Sequence, residues 1–168
     1  LCTITEKHLF LILKPSTLTD CALLEFLMTS SFIPDDFPQL RRENVRYSDT
    51  DRQGHVNNAV FSTFLECART DILYDKSRGL LNPDRELVIV KIAIEFLAEL
   101  SWPGSVEIGS RVAKVGHSSI MFEQAIFQGD KCASVSTSVM VMIDKVTRKS
   151  AGLPEDVAER LADLIIQS

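Results

Sequence analysis

Hydrophobic residues recur along this chain with two different periods, and the change of period divides it into elements. From Asn57 onward, Phe61, Phe64, Leu65, Ala68 and Ile72 fall at i, i+3, i+4, i+7 and i+11, with Ser62, Thr63, Glu66, Arg69 and Thr70 opposite. That spacing puts one apolar stripe on one face of an α-helix. Asn57 or Asn58 suits the N-cap and Gly79 the stop, so the pattern predicts a helix of about five turns. From Leu87 the period is two. In "LVIVKIAIEFLAEL", Val88, Val90, Ile92, Ile94, Phe96, Ala98 and Leu100 share one face, while Lys91, Glu95 and Glu99 mark the other, as in a long half-buried strand. After the turn "SWPGS", the runs "VEIGSRVAKV", "SSIMFEQAIFQ" and "CASVSTSVMVMID" read as three further strands, separated by "GH" and "GDK". "RRENVRYSD" reads as a short strand ahead of the helix, and Pro154 to Ile166 as a short amphipathic helix with Pro154 near its first turn. Long strands joined by short turns imply an antiparallel meander. The order of strand, helix and four strands predicts an α+β fold, with one curved antiparallel sheet wrapped around the long central helix, because each then buries the other's apolar face.

Composition narrows the class. At 168 residues, 45% hydrophobic and 24% charged, the chain has room for one domain with a real core. The net charge of -5 and the absence of a basic run argue against nucleic acid as a partner. No apolar run approaches a membrane span, since Lys14, Asp20 and Glu25 interrupt the early ones. Cys2, Cys21, Cys67 and Cys132 form no C-x-x-C and the three histidines are scattered, so neither a metal site nor a disulfide framework is expected, and the cytoplasm is the expected location. Residues 1–40 differ from the rest, with apolar fragments between Pro and Ser/Thr clusters, and are expected to be an N-terminal extension to a domain over 41–168. The first methionine is Met28. Two readings of the lead-in stand side by side: a natural start at Met28, or a presequence or loosely packed helix over Leu23 to Met28.

The chemistry concentrates between strand and helix, in "YSDTDRQGHVNN". A helix N-terminus carries unpaired N–H groups and partial positive charge, and so stabilises a developing oxyanion. If the helix starts near Asn57, the amides of Asn57, Asn58 and Ala59 are the donors, and Gly54 lets the backbone turn sharply and a substrate approach. Asp51 and His55 flank that glycine. A carboxylate can activate water or attack a carbonyl, and an imidazole can orient a partner or donate a proton. Blander roles stand beside these. Asp49 or Asp51 can cap a turn, His55 can be a hydrogen-bonded loop histidine, and Asn57 and Asn58 can be helix caps alone. Glu66 and Arg69 can be a solvated polar face, and Cys67 a packing residue.

The run "RYSDTDRQGHVNNAVFSTFLECAR" resembles the signature D-x-D-x-x-G-H-V-N-N-x-x-Y-x-x-x-x-E-x-A-R of the hotdog-fold acyl-CoA thioesterases of the 4-hydroxybenzoyl-CoA thioesterase-like group. The likeness extends over about residues 41 to 155. It implies a hotdog fold and hydrolysis of an acyl-CoA, or an acyl-carrier-protein thioester, without metal or bound cofactor. By the resemblance, Asp51 is the general base or nucleophile, and His55 positions the thioester or assists the departing thiol. An amide near Asn57 or Asn58 holds the oxyanion, Glu66 is a supporting helix glutamate, and Gly54, Val56 and Ala59 complete the substrate-binding turn. Phe61 stands where the signature has tyrosine, so a hydroxyl is missing. The resemblance also implies homodimers joined edge to edge, often paired into homotetramers, with "SVSTSVMV" as a compatible edge strand. Two competing readings are a hotdog enoyl-thioester hydratase or dehydratase, and a non-catalytic acyl-thioester-binding module.

Overall fold

The computed structural model describes residues 32–80 and 82–165. Met28, the Leu23 to Met28 segment and the far end of the expected C-terminal helix lie outside them. A five-stranded antiparallel sheet is formed by β1 (Gln39–Val45), β2 (Arg85–Phe96), β3 (Gly104–Val115), β4 (Ser119–Gln128) and β5 (Lys131–Asp144), in the order β1-β3-β4-β5-β2. The long helix α1 (Asn58–Leu73) lies against one face of the sheet, where Gln124 of β4 donates through Nε2 to the Leu65 carbonyl at 3.0 Å. The architecture is the expected α+β hotdog arrangement.

α1 is shorter than its pattern implied. Asn57 is the N-cap, its Oδ1 accepting from Ala59 N–H at 3.0 Å, which removes one orphan donor of the first turn. The helix ends at Leu73, with Tyr74 as C-cap, and Gly79 closes a separate turn at φ 58°. Its stripe is as expected: Phe61, Leu65, Ala68 and Ile72 are fully buried. The first half of the helix packs with Val45, Val56, Leu100, Ile108 and Ile126, and the second half with Val112, Ile120 and Phe122. Beneath the second half, the four-residue α2 (Val157–Arg160) and the 3-10 turn Ala162–Leu164 replace the single tail helix that was expected, and bury Val157, Leu161 and Leu164.

Four expectations about the strands change. β1 starts at Gln39 and stops at Val45, because Tyr47–Asp49 form a 3-10 turn. β2 does not keep one alternation: its register with β5 shifts between Ile89 and Lys91. The extra residue, Val90, reverses the sequence of faces. Ile92, Ile94 and Phe96 therefore share the helix side with Ile89 and Leu87, not with Val88. β2 is also less buried than expected, since it is an edge strand, leaving Ile89, Val90, Ile92 and Phe96 exposed. Conversely, "SVSTSVMV" belongs to β5, between β4 and β2, so it is not an edge.

Candidate active site

The turn between β1 and α1 is held on both sides by backbone pairing. Asp51 N–H donates to the His55 carbonyl at 2.8 Å, and Gly54 N–H to the Asp51 carbonyl at 3.1 Å. Gly54 has φ 85°, a left-handed conformation that glycine adopts without strain. Val56 is buried, and its N–H donates to the Leu100 carbonyl at 2.9 Å, while His55 bridges to Ser101. The chain just after β2 thus runs beside the turn and fixes it against the core.

Both aspartates make turn contacts. Asp49 Oδ2 accepts from Arg46 N–H at 2.7 Å, and Asp51 Oδ1 accepts from Gln53 N–H at 2.8 Å. The bland role of Asp51 is therefore occupied by one oxygen. Its Oδ2 has no hydrogen-bond partner among the described residues, and the residue is half-buried.

The helix tip offers fewer donors than the sequence promised. Asn57 N–H is taken by the Asp49 carbonyl at 2.8 Å, and Ala59 N–H by the Asn57 side chain. Of the three expected amides, Asn58 N–H alone has no acceptor among the described residues, and Asn58 is exposed. It lies in the first turn of a helix of 16 residues, where the aligned peptide dipoles leave partial positive charge.

His55 Nε2 lies 3.3 Å from Glu99 Oε2. Sequence reasoning placed Glu99 on the polar face of a strand and missed this contact. β2 ends at Phe96, however, and the following residues fold back to the turn. No local signal marks a pairing between positions 55 and 99. Glu66 is exposed on α1, two turns beyond the tip, and makes no hydrogen bond or ion pair among the described residues. Asp51, Gly54, His55, Val56, Asn57, Asn58 and Ala59 are brought together by the turn, and Glu66 is set apart along the helix. Among the described residues, no group of three or more His, Cys, Asp or Glu side chains is placed to hold a metal ion.

The turn thus carries an unengaged carboxylate oxygen and the helix start that follows it an unengaged amide, and groups of these two kinds are what adding water to a carbonyl requires. The family model described as "Thioesterase-like superfamily" matches residues 45–161. The chain belongs to that superfamily. Among curated relatives of this superfamily member, the acyl-CoA thioester hydrolase YbgC of Escherichia coli O6:H1 is 26% identical over 117 residues, 67% of this chain and 87% of the relative. The acyl-CoA thioesterase YbgC of Haemophilus influenzae is 27% identical over 67% of this chain and 86% of its own length. A solved thioesterase from Thermus thermophilus, complexed with coenzyme A and Zn, is 31% identical, with TM-score 0.65 over 76% of this chain and 94% of that one. The PA5185 protein of Pseudomonas aeruginosa, at 24% identity, has TM-score 0.72 over 81% of this chain and 97% of that one, a likeness of fold.

Proposed function

We propose that the protein hydrolyses acyl-CoA thioesters to free acid and CoA, with Asp51 and the tip of α1 as the catalytic centre. The observation that carries this reading is the unengaged Asn58 N–H beside the Asp51–His55 turn, in a chain of the thioesterase-like superfamily. The thioester carbonyl oxygen accepts from Asn58 N–H. Asp51 Oδ2 either takes a proton from the attacking water or attacks the carbonyl carbon itself to form an anhydride that water then opens. As the carbonyl carbon becomes tetrahedral, negative charge on its oxygen is met by an amide already oriented, so little reorganisation is needed. The C–S bond then breaks, and His55, oriented by Glu99, assists the departing sulfur. Gly54, exposed and without a side chain, leaves room for the thioester. Val56, Asn57 and Ala59 support the binding turn through the backbone, and Glu66 supports substrate from further along the helix. The names of the YbgC relatives point to CoA as the carrier, and an acyl-carrier protein is the second carrier to test.

The apolar side chains left exposed on the edge strand β2, Ile89, Val90, Ile92 and Phe96, support pairing of two copies edge to edge as a homodimer, from which a homotetramer can be built. Light scattering tests this: a monomer at micromolar concentration contradicts it. The free Cys67 and Cys132 fit a cytoplasmic setting. Activity is tested with short, medium, long and aromatic acyl-CoAs and a thiol-detecting dye. Thiol release from at least one class is expected. Hydration of crotonyl-CoA without thiol release favours the hydratase reading, and tight binding with neither reaction favours a non-catalytic module.

A further inference from the structure

A cavity of about 430 Å³ opens where the end of α1 meets the start of β2, at the opposite end of the helix from Asn58. At 1.5 Å per residue, Leu73 lies roughly 22 Å from Asn58 along the helix axis. The volume is in the range that holds a small organic molecule. The floor is apolar: Leu73, the last residue of α1, is 3% exposed, and Leu87 of β2 packs against the same core. Pro83 adds an apolar wall, and Tyr74, 62% exposed, stands at the rim. The part of β2 that lines the cavity, Arg85 to Leu87, precedes Ile89, Val90, Ile92 and Phe96, the side chains assigned above to pairing of two copies.

The walls are also charged, and the charges do not cancel. Arg85 is half-buried. Its Nη1 donates to the Gly152 carbonyl at 2.6 Å, while Nε and Nη2 have no acceptor among the described residues. Lys145 Nζ donates to the Pro83 carbonyl at 2.7 Å, which leaves two of its three protons. A surface lysine needs no carboxylate, but a guanidinium drawn into a wall with idle donors costs stability unless something accepts from them. The acids close by are engaged elsewhere. Glu86, the carboxylate on the wall, is paired with Arg148, and Asp144 Oδ1 accepts from Thr147 N–H at 2.7 Å and Thr147 Oγ1 at 2.9 Å within its own turn. Two cations above an apolar floor suit an organic anion. A monoanion suits them better than a dianion, because Asp84, Glu86 and Asp144 add negative charge nearby and the C-terminal end of α1 carries a partial negative charge. The idle Nε–H and Nη2–H of Arg85 lie on one edge of the guanidinium, which matches the two oxygens of a carboxylate.

We propose that this cavity is a second ligand site, which takes a monocarboxylate with a compact apolar body: the carboxylate meets Arg85 and Lys145, and the body lies on Leu73 and Leu87. A carboxylic acid released by thioester hydrolysis belongs to this class, but the site stands without the thioesterase reading. The test is calorimetry on the full chain with 4-phenylbutanoate, the neutral 4-phenylbutanol and 4-phenylbutyl phosphate, a dianion. The carboxylate is expected to bind about 10-fold more tightly than the alcohol, the scale of a charge-assisted hydrogen bond, and more tightly than the phosphate. The double variant Arg85→Gln/Lys145→Gln should bring the affinity for the carboxylate down to that for the alcohol, with the alcohol bound as before. Arg85→Gln also removes the bond to Gly152, so Lys145→Gln alone, a change at an exposed residue, serves if the double variant does not fold, and should weaken the carboxylate roughly 3-fold. Equal affinity for carboxylate and alcohol, a preference that survives the substitutions, or tighter binding of the phosphate overturns the proposal. Because binding is read without turnover, a protein that binds the carboxylate yet cleaves no thioester defeats the hydrolase reading alone, and one that cleaves thioesters but does not distinguish carboxylate from alcohol defeats this site alone.

Discussion

Gly109 in β3 sits directly beneath Phe37, which precedes the first strand. A Cβ added at Gly109 would lie 2.4 Å from Phe37 Cγ, 2.5 Å from Cδ2 and 2.9 Å from Cβ. These contacts span the ring and its attachment point, so turning the ring does not relieve them and the whole residue must lift. Phe37 is 5% exposed, meets Phe127 edge-on at 5.9 Å between centroids, and lies under the Arg111 guanidinium at 5.2 Å. Truncating a buried phenylalanine costs about 3–5 kcal/mol. A residue near the start of the fold relaxes readily, so Phe37→Ala is expected to cost about 3 kcal/mol. Gly109→Ala expels the same ring but gains ~0.5–1 kcal/mol from lower backbone entropy in a strand, for a net cost of about 2.5 kcal/mol. In the double variant the clash has gone, so it should be no less stable than Phe37→Ala alone. Urea unfolding of the four proteins should therefore give a coupling of about 3 kcal/mol. Additive costs, with coupling below about 0.5 kcal/mol, would refute the packing of Phe37 on Gly109.

Three further outcomes follow from the same structure. Asn57→Ala removes the bond to Ala59 N–H and should lower stability by about 1 kcal/mol, measured by urea unfolding. Arg69 is 4% exposed and donates to Gln124 Oε1 at 2.7 Å, and burial pulls its guanidinium below the usual arginine range. Gln124→Leu should therefore cost about 3 kcal/mol by stranding a buried charge, and the added change Arg69→Met should restore much of it, as calorimetric melting will read. Asp163, gripped by both Arg78 NH groups at 2.7 Å, is held below the usual carboxylate range by those hydrogen bonds. Its folded pKa lies below its unfolded value of about 3.9, so the stabilisation is complete above about pH 5 and is lost as pH falls through the folded value. Asp163→Asn should accordingly lower Tm at pH 7, with the gap to wild type closing as the melts are moved below about pH 4.

The helix and the succession of strands along the chain were legible because both rest on local periodicity, but the four-strand meander was not, since β2 pairs with β5 and β3 with β1. Phe61, Leu65, Ala68 and Ile72 had to share a face, and that face had to meet a sheet. What failed depended on partners remote in sequence. The bulge at Val90 arises from pairing with β5, and no residue type in "LVIVKI" announces it. Gly79 looked like a helix stop, yet the helix ended earlier, at Leu73. The turn residues of the site were legible through the resemblance of their motif, and Asn57 also through capping chemistry. The reduction from three free amides to one was not, since it depends on the Asp49 carbonyl and the Asn57 side chain having claimed the other two. The approach of Glu99 to His55 likewise needs the chain after β2 to fold back.

The central claim is that the Asp51 carboxylate drives cleavage of a thioester held at the Asn58 amide. Its most direct test is kcat for thiol release by wild type and Asp51→Asn, on whichever acyl-CoA the wild type turns over, with melting curves of both. Asparagine can still accept from Gln53 N–H, so the turn and the melting temperature should survive. The account predicts that kcat falls by at least about 100-fold, the usual loss when a general base or nucleophile is removed. Two proteins that melt alike and release thiol at the same rate would contradict it.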